Sequence, residues 1–153
     1  MSSTDFNFRV SEKADEVSIA IAGTLDEASE MPIPDIRGRR VVIDAHGVTR
    51  ANSMGVRAWV EMMTELSARA PEIVMMKVPA VLVTQASMIS TFFGRARIHS
   101  FMSPWICLHC DNALEQLHGE ADPVPQSIAC PKCGSQMELD WDREAYLAFR
   151  GGR

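Results

Sequence analysis

The residues best suited to chemistry in this chain are its four cysteines, Cys107, Cys110, Cys130 and Cys133, which fall as two Cys-x-x-Cys pairs separated by 19 residues. That spacing matches the pattern of a zinc site. Zn²⁺ takes four ligands in a tetrahedron with Zn–S distances of about 2.3 Å, and two tight turns, each presenting two thiolates, supply that set. Gly134 lets the second turn, Cys130-Pro131-Lys132-Cys133, fold back, and Lys132 offsets part of the negative charge that four thiolates leave on the ion. A redox Cys-x-x-Cys would leave the other pair unexplained, and four unrelated buried thiols have no reason to keep this spacing. Four cysteines close the coordination shell, whereas a catalytic zinc keeps an open position, so the spacing predicts one structural Zn²⁺ per chain. His109, inside the first turn, reads as an exposed loop histidine.

The rest of the sequence bounds what those cysteines belong to. The chain has 153 residues, of which 46% are hydrophobic and 23% charged. That suffices for one ordinary domain, or a smaller one with an appendage, and lacks the signature of disorder. The net charge is −5, and residues 107–153 alone carry four basic and eight acidic groups. This acidity argues against wrapping duplex nucleic acid by counterion release. The first residues, Met1-Ser2-Ser3-Thr4-Asp5, lack the basic and apolar regions of a signal peptide, which predicts a cytoplasmic protein with reduced thiols. The most apolar stretch, Ile73 to Phe93, is interrupted by Lys77 and Pro79, so no membrane insertion is expected.

The elements that must position the cysteines follow from periodicity. Phe6, Phe8 and Val10, then Val17, Ile19 and Ile21, alternate as half-buried strands, the second ending at Gly23. Two prolines and a glycine between Met31 and Gly38 forbid a long helix, and Arg39 to Ala45 reads as a central strand followed by a polar loop from His46 to Asn52. Val56, Trp59, Val60, Met63 and Leu66 recur at helical spacing, which predicts an amphipathic helix over 53–69 with Ser53 as its N-cap. A strand from Ile73 to Val78, a helix from Val81 to Phe93 with Gly94 at its C′ position, and a strand from Ile98 to Met102 complete the series. The order implies an α/β fold, a mostly parallel sheet packed by helices over residues 5–103, followed by a small metal module over 104–150.

Two stretches carry a resemblance to known families. Val41 to Val56, with its strand, loop and helix start, and Val17 to Asp26, with its Gly-x-Leu-Asp ending, resemble STAS domains, the fold of bacterial anti-sigma-factor antagonists; residues 105 to about 140 resemble a zinc ribbon. In the STAS family the loop reads Asp-Ser-x-Gly and its serine or threonine is commonly phosphorylated to switch partner binding. By position Ser53 matches the phosphoacceptor and Gly55 the glycine, while Asn52 stands where the family usually has aspartate. A phosphate adds about −1.5 to −2 charges at a helix N-terminus, with Arg50 and Arg57 as flanking partners; the same serine equally serves as an N-cap, a role that needs only its hydroxyl.

The resemblance implies a non-enzymatic bacterial regulatory or scaffold protein involved in signal transduction. Its expected partners are anti-sigma or serine-kinase-like proteins, or scaffold proteins. The predicted partner-binding residues are Arg50, Asn52, Ser53, Met54, Gly55, Arg57, Trp59 and Met62; Trp59 and Met62 sit at the edge of the helical stripe, where an exposed pair makes a binding face and a buried pair makes core. Two other functions fit less well: a cytoplasmic STAS subunit of a membrane lipid-transport complex, and a zinc-ribbon nucleic-acid-binding protein, the latter opposed by an acidic tail with few aromatic residues. No Gly-rich phosphate loop, Ser-His-Asp order or paired carboxylates suggest catalysis.

Overall fold

A computed structural model describes residues 5–151. Two sheets divide the strands. In the first, β1 (Asn7–Glu12) pairs antiparallel with β2 (Glu16–Leu25), and β2, β3 (Arg40–Ala51), β4 (Ile73–Met76) and β5 (Arg97–Ile98) follow in parallel, in the order β1-β2-β3-β4-β5. Helix α1 (Ser53–Arg69) crosses from β3 to β4 and packs on β2 and β3, and α2 (Ala80–Ala86) leads from β4 towards β5. The second sheet is antiparallel, in the order β7-β6-β9-β8, built from β6 (Ser100–Cys107), β7 (Ala113–Gly119), β8 (Ile128–Ala129) and β9 (Gln136–Leu139). Two short helices, α3 (Arg143–Tyr146) and α4 (Ala148–Gly151), end the described chain. The content is mixed α/β, as the periodicity predicts, and no described helix is long and apolar enough to cross a membrane.

Alternation decides the core of the first sheet: Val17, Ile19 and Ile21 on β2 and Val41, Ile43 and Ala45 on β3 are buried, and α1 lays Trp59, Met63 and Leu66 into the same cluster. Trp59 and Met62 are therefore core and not a partner-binding face. Trp59 is fully enclosed, its indole N–H donates to the Phe92 carbonyl at 2.9 Å, and its ring stacks on Phe92 with centroids 5.5 Å apart.

Several boundaries differ from those read in the sequence. Gly23 does not end β2. With φ at +91° it admits the backbone of Asp5 and Phe6, which would lie within 3 Å of a Cβ there, and the strand runs on to Leu25. The expected loop 46–52 is likewise mostly strand, because the longer β2 offers partners as far as Ala51. Gly47 makes that pairing possible, since a Cβ would meet the Ala22 methyl at 2.7 Å. The helix expected to Phe93 stops at Ala86, where the hydroxyls of Thr84 and Ser87 bond back to the Val81 and Thr84 carbonyls and compete with the helical ladder. Gly94 keeps the left-handed conformation, φ +54°, that its C′ position suggests. The segment Ile73–Val78 ends as a strand at Met76, because Lys77 turns at φ +52° and gives its N–H to Ser100 Oγ.

The segment read as one strand over 98–102 is two. Ile98 closes the first sheet, and Ser100 opens β6 in the second. A bridge between Val78 and Phe101 ties β6 back to the end of β4. The terminal helices bind the same strand: Tyr146 Oη donates to the Met102 carbonyl, and Phe149 packs edge-on against Phe101 and Phe93.

Beneath these helices runs a hydrogen-bond chain with no counterpart in the sequence reading. Trp105 Nε1 donates to Ser103 Oγ at 2.8 Å, and the same hydroxyl shares a hydrogen bond with His118 Nε2, 2.6 Å away. Ser103 is fully enclosed, so this serine–histidine pair orders a core and meets no substrate. Burial lowers the His118 pKa and Arg150 lowers it further, against the upward pull of Asp122. Unfolding releases His118 to its ordinary value near 6.5, so the unfolded chain takes up a proton that the folded chain resists. Stability accordingly loses nothing to His118 above about pH 6.5 and is diminished by it as the pH drops below that value. Urea midpoints at pH 7.5 and 5.5 should show that loss in the native chain, and His118→Gln should flatten it; an unchanged slope in the variant would remove His118 as its cause.

Candidate functional site

The four cysteines stand on two turns of the same construction. In the first, the Asp111 N–H donates to the Cys107 carbonyl at 2.8 Å and the Cys107 N–H to the Asn112 carbonyl at 2.8 Å. In the second, Gly134 donates to Cys130 at 2.9 Å and Cys130 to Ser135 at 2.7 Å. The fifth residue of each turn is left-handed, Asp111 at φ +63° and Gly134 at φ +79°. The glycine is visible in the sequence; its counterpart is an aspartate, one of the few side chains that tolerate this region.

Strand pairing brings the turns together. Cys107 is the last residue of β6 and pairs across to Met137 of β9, while β8, paired to β9, leads directly into Cys130. All four Sγ atoms consequently lie within 4.8 Å of one another, with 3.5 Å between Cys107 and Cys133 and 3.6 Å between Cys110 and Cys130. A tetrahedron with arms of about 2.3 Å has edges of about 3.8 Å, so the set fits a tetrahedral ion. No disulfide links the pairs. Cys107 and Cys130 are buried and Cys110 and Cys133 exposed; His109 lies outside the cluster, on the surface as expected.

The turns already favour thiolate at two corners, Cys130 and Cys133, the latter chiefly through the Ser135 N–H. Burial raises the Cys130 thiol, but the backbone N–H groups of Cys133 and Lys132 and the thiols of Cys110 and Cys133 outweigh it and bring the group down to about 6. At Cys110 the Asn112 N–H pulls downward, while burial and the neighbouring sulfurs push the thiol up to about 12. The metal-free cluster thus holds protons that an incoming cation must displace, which makes metal affinity rise with pH.

The other candidate residues gather at the N-terminus of α1. The cap there is Asn52, not Ser53: Asn52 Oδ1 accepts from the Gly55 N–H at 2.9 Å, and Asn52 Nδ2 donates to Glu27 at 3.0 Å. Ser53 is the first helical residue, exposed, and its hydroxyl makes no hydrogen bond among the described residues. Gly55 is fixed by packing, since a Cβ would sit 2.1 Å from the Leu25 carbonyl oxygen, and the Asn52 N–H holds that same carbonyl at 3.0 Å. A groove of about 670 Å³ runs from Asn52 and Ser53 along Val56, Arg57 and Val60 to Ile89. Arg57 pairs loosely with Glu61, 3.8 Å away; Arg50 and Met54 are exposed beside the groove's end and do not line it. The first turn of α1 carries no acidic residue of its own, and the carboxylate at its positive dipole end is that of Glu27, bonded to the cap.

No known family model matches the chain, and none of the curated proteins matches it in sequence.

The division of labour between Asn52 and Ser53 has a measurable outcome. Asn52→Ala should cost about 0.5–2 kcal/mol, the usual loss of an N-cap, whereas Ser53→Ala should stay within about 0.5 kcal/mol of the native chain. Denaturant titration of both variants checks this, and a larger loss at Ser53 than at Asn52 would refute the assignment.

Proposed function

We propose that this protein is a non-enzymatic regulatory or scaffold module of the STAS type, which binds a protein partner at the groove beside Ser53 and whose tail is held by one structural Zn²⁺. The observation that carries the reading is Ser53 itself, an exposed hydroxyl with no hydrogen bond among the described residues, on the rim of a partly apolar groove and at the N-terminus of α1, whose first turn holds no acidic residue. A phosphate there would meet the helix dipole and Arg57 while placing two negative charges on the groove's edge. A partner seated on Val56, Val60 and Ile89 would feel that charge directly. The resemblance of Val17–Asp26 and Val41–Val56 to STAS strands and helix start supports the same assignment.

Zn²⁺ is the ion that four thiolates at tetrahedral spacing suit, and once bound it cross-links the two turns without offering an open coordination position. Cys107, Cys110, Cys130 and Cys133 would hold it. Metal analysis of protein purified without added zinc should give one Zn²⁺ per chain, and Cys110→Ser should lower that content. Because metal binding contributes on the order of 10 kcal/mol to units of this kind, chelation should open residues 107–139 to protease while the first sheet persists. A chain that purifies without metal and keeps its tail protected would overturn the zinc assignment.

Partner binding is tested by affinity purification from the native cell, followed by direct binding of the recovered protein. Ser53→Asp should weaken that binding at least tenfold while Ser53→Ala preserves it. Equal affinities for the two variants would remove the switch.

A further inference from the structure

The second sheet ends in an open edge. In antiparallel pairing, opposed residues alternate between those that exchange both hydrogen bonds and those whose N–H and C=O groups point away from each other. The Cys107 N–H bonds to the Asn112 carbonyl, which fixes the phase of the β6–β7 ladder. Counting along the register, Leu114, Gln116 and His118 face β6, while Ala113, Glu115 and Leu117 turn their backbone groups outward. Pro104, which has no N–H, sits opposite Glu115, where this phase requires none. β7 is the last strand of its sheet, so these outward groups meet no described strand.

The side chains of the same three residues are exposed, and Leu117 is 54% accessible. Glu115 lines a cleft of about 430 Å³ together with Met102, Leu114, His46, Thr49 and Val81. A side chain that fills it needs a long apolar stem and a head that answers a carboxylate, the description of lysine or arginine. The surroundings select the same sign. Residues 107–153 carry eight acids against four bases, and of those bases Arg143 and Arg150 are bonded to backbone carbonyls of the tail itself.

We propose that β7 is an acceptor edge for an extended, basic segment of a partner protein, which adds as a further strand with a lysine or arginine placed opposite Glu115. Backbone bonds to Ala113, Glu115 and Leu117 would supply the pairing, the Glu115 cleft the selectivity, and the apolar flanks the seat for neighbouring aliphatic residues. A second copy of this chain is a poor occupant, because its own β7 would bring an acidic tail against an acidic tail. This surface is separate from the Ser53 groove, and its test does not depend on that site.

The probe is the capped, fluorescently labelled peptide Thr-Val-Thr-Lys-Thr-Val-Thr, used with the full metal-loaded chain. It reads the same in either direction and so assumes no strand polarity; its counterpart carries Glu at the centre. The native chain should bind the lysine peptide at least tenfold more tightly than the glutamate peptide, and amide exchange at Ala113, Glu115 and Leu117 should slow on binding. Glu115→Lys should invert the preference, a gain that a misfolded variant cannot show. Leu117→Pro removes one outward N–H and should weaken both chains' binding. Absence of saturable binding, a preference that Glu115→Lys leaves unchanged, or self-association through β7 in sedimentation would each overturn the proposal.

Discussion

Four sulfur atoms held within 4.8 Å of one another are the constraint around which the C-terminal half is built. Such a set repels itself as thiolates, so it needs a scaffold to enforce convergence, and converged it could hold a cation. The scaffold is strand pairing. Cys107 is fixed by its place in β6, Cys130 by the β8–β9 hairpin, and the β6–β9 register sets the distance between them. Two turns with matching hydrogen bonds then swing Cys110 and Cys133 into the remaining corners.

β6 carries that constraint into the rest of the molecule. Its inward residues, Phe101, Ser103, Trp105 and Cys107, form one line from the bridge at Val78 to the sulfur cluster, and all four are buried. Along it lie Phe149 on Phe101, His118 on Ser103, and Tyr146 on the Met102 carbonyl. A loss of register in β6 would therefore move Cys107, the buried hydroxyl and the aromatic contacts together. The two sheets share a continuous hydrophobic cluster from Val17 to Tyr146 for the same reason.

Much of this was legible in the sequence, for identifiable reasons. The cysteine spacing is a covalent ruler, and α1 announces itself because five apolar residues keep helical phase over about three turns. What escaped depended on partners distant in the chain. The polar run His46–Asn52 reads as loop, and becomes strand only because β2 is long and Gly47 leaves room for the Ala22 methyl. Ile98–Met102 reads as one strand, although residues on either side of His99 belong to different sheets. The buried chain Trp105–Ser103–His118 spans 15 residues and has no local signature. Asp111 hides the pseudo-repeat of the two turns because glycine is the more recognisable residue at a left-handed position.

Asn52 shows how a departure from a motif can sharpen a reading. An aspartate at that place would bring a negative charge to the end of α1; asparagine caps through the same kind of oxygen while remaining neutral. The helix end then carries no acidic residue in its first turn, and the only nearby carboxylate bonded to the cap is Glu27, held by the amide side of Asn52. Capping and charge, which one aspartate would supply together, are thereby divided between Asn52, which caps, and Glu27, whose carboxylate is bonded to the cap. A negative group arriving at Ser53 would meet the positive end of the helix beside the Glu27 carboxylate, and would displace no hydrogen bond of the Ser53 hydroxyl among the described residues. Its effect would fall on whatever lies in the groove.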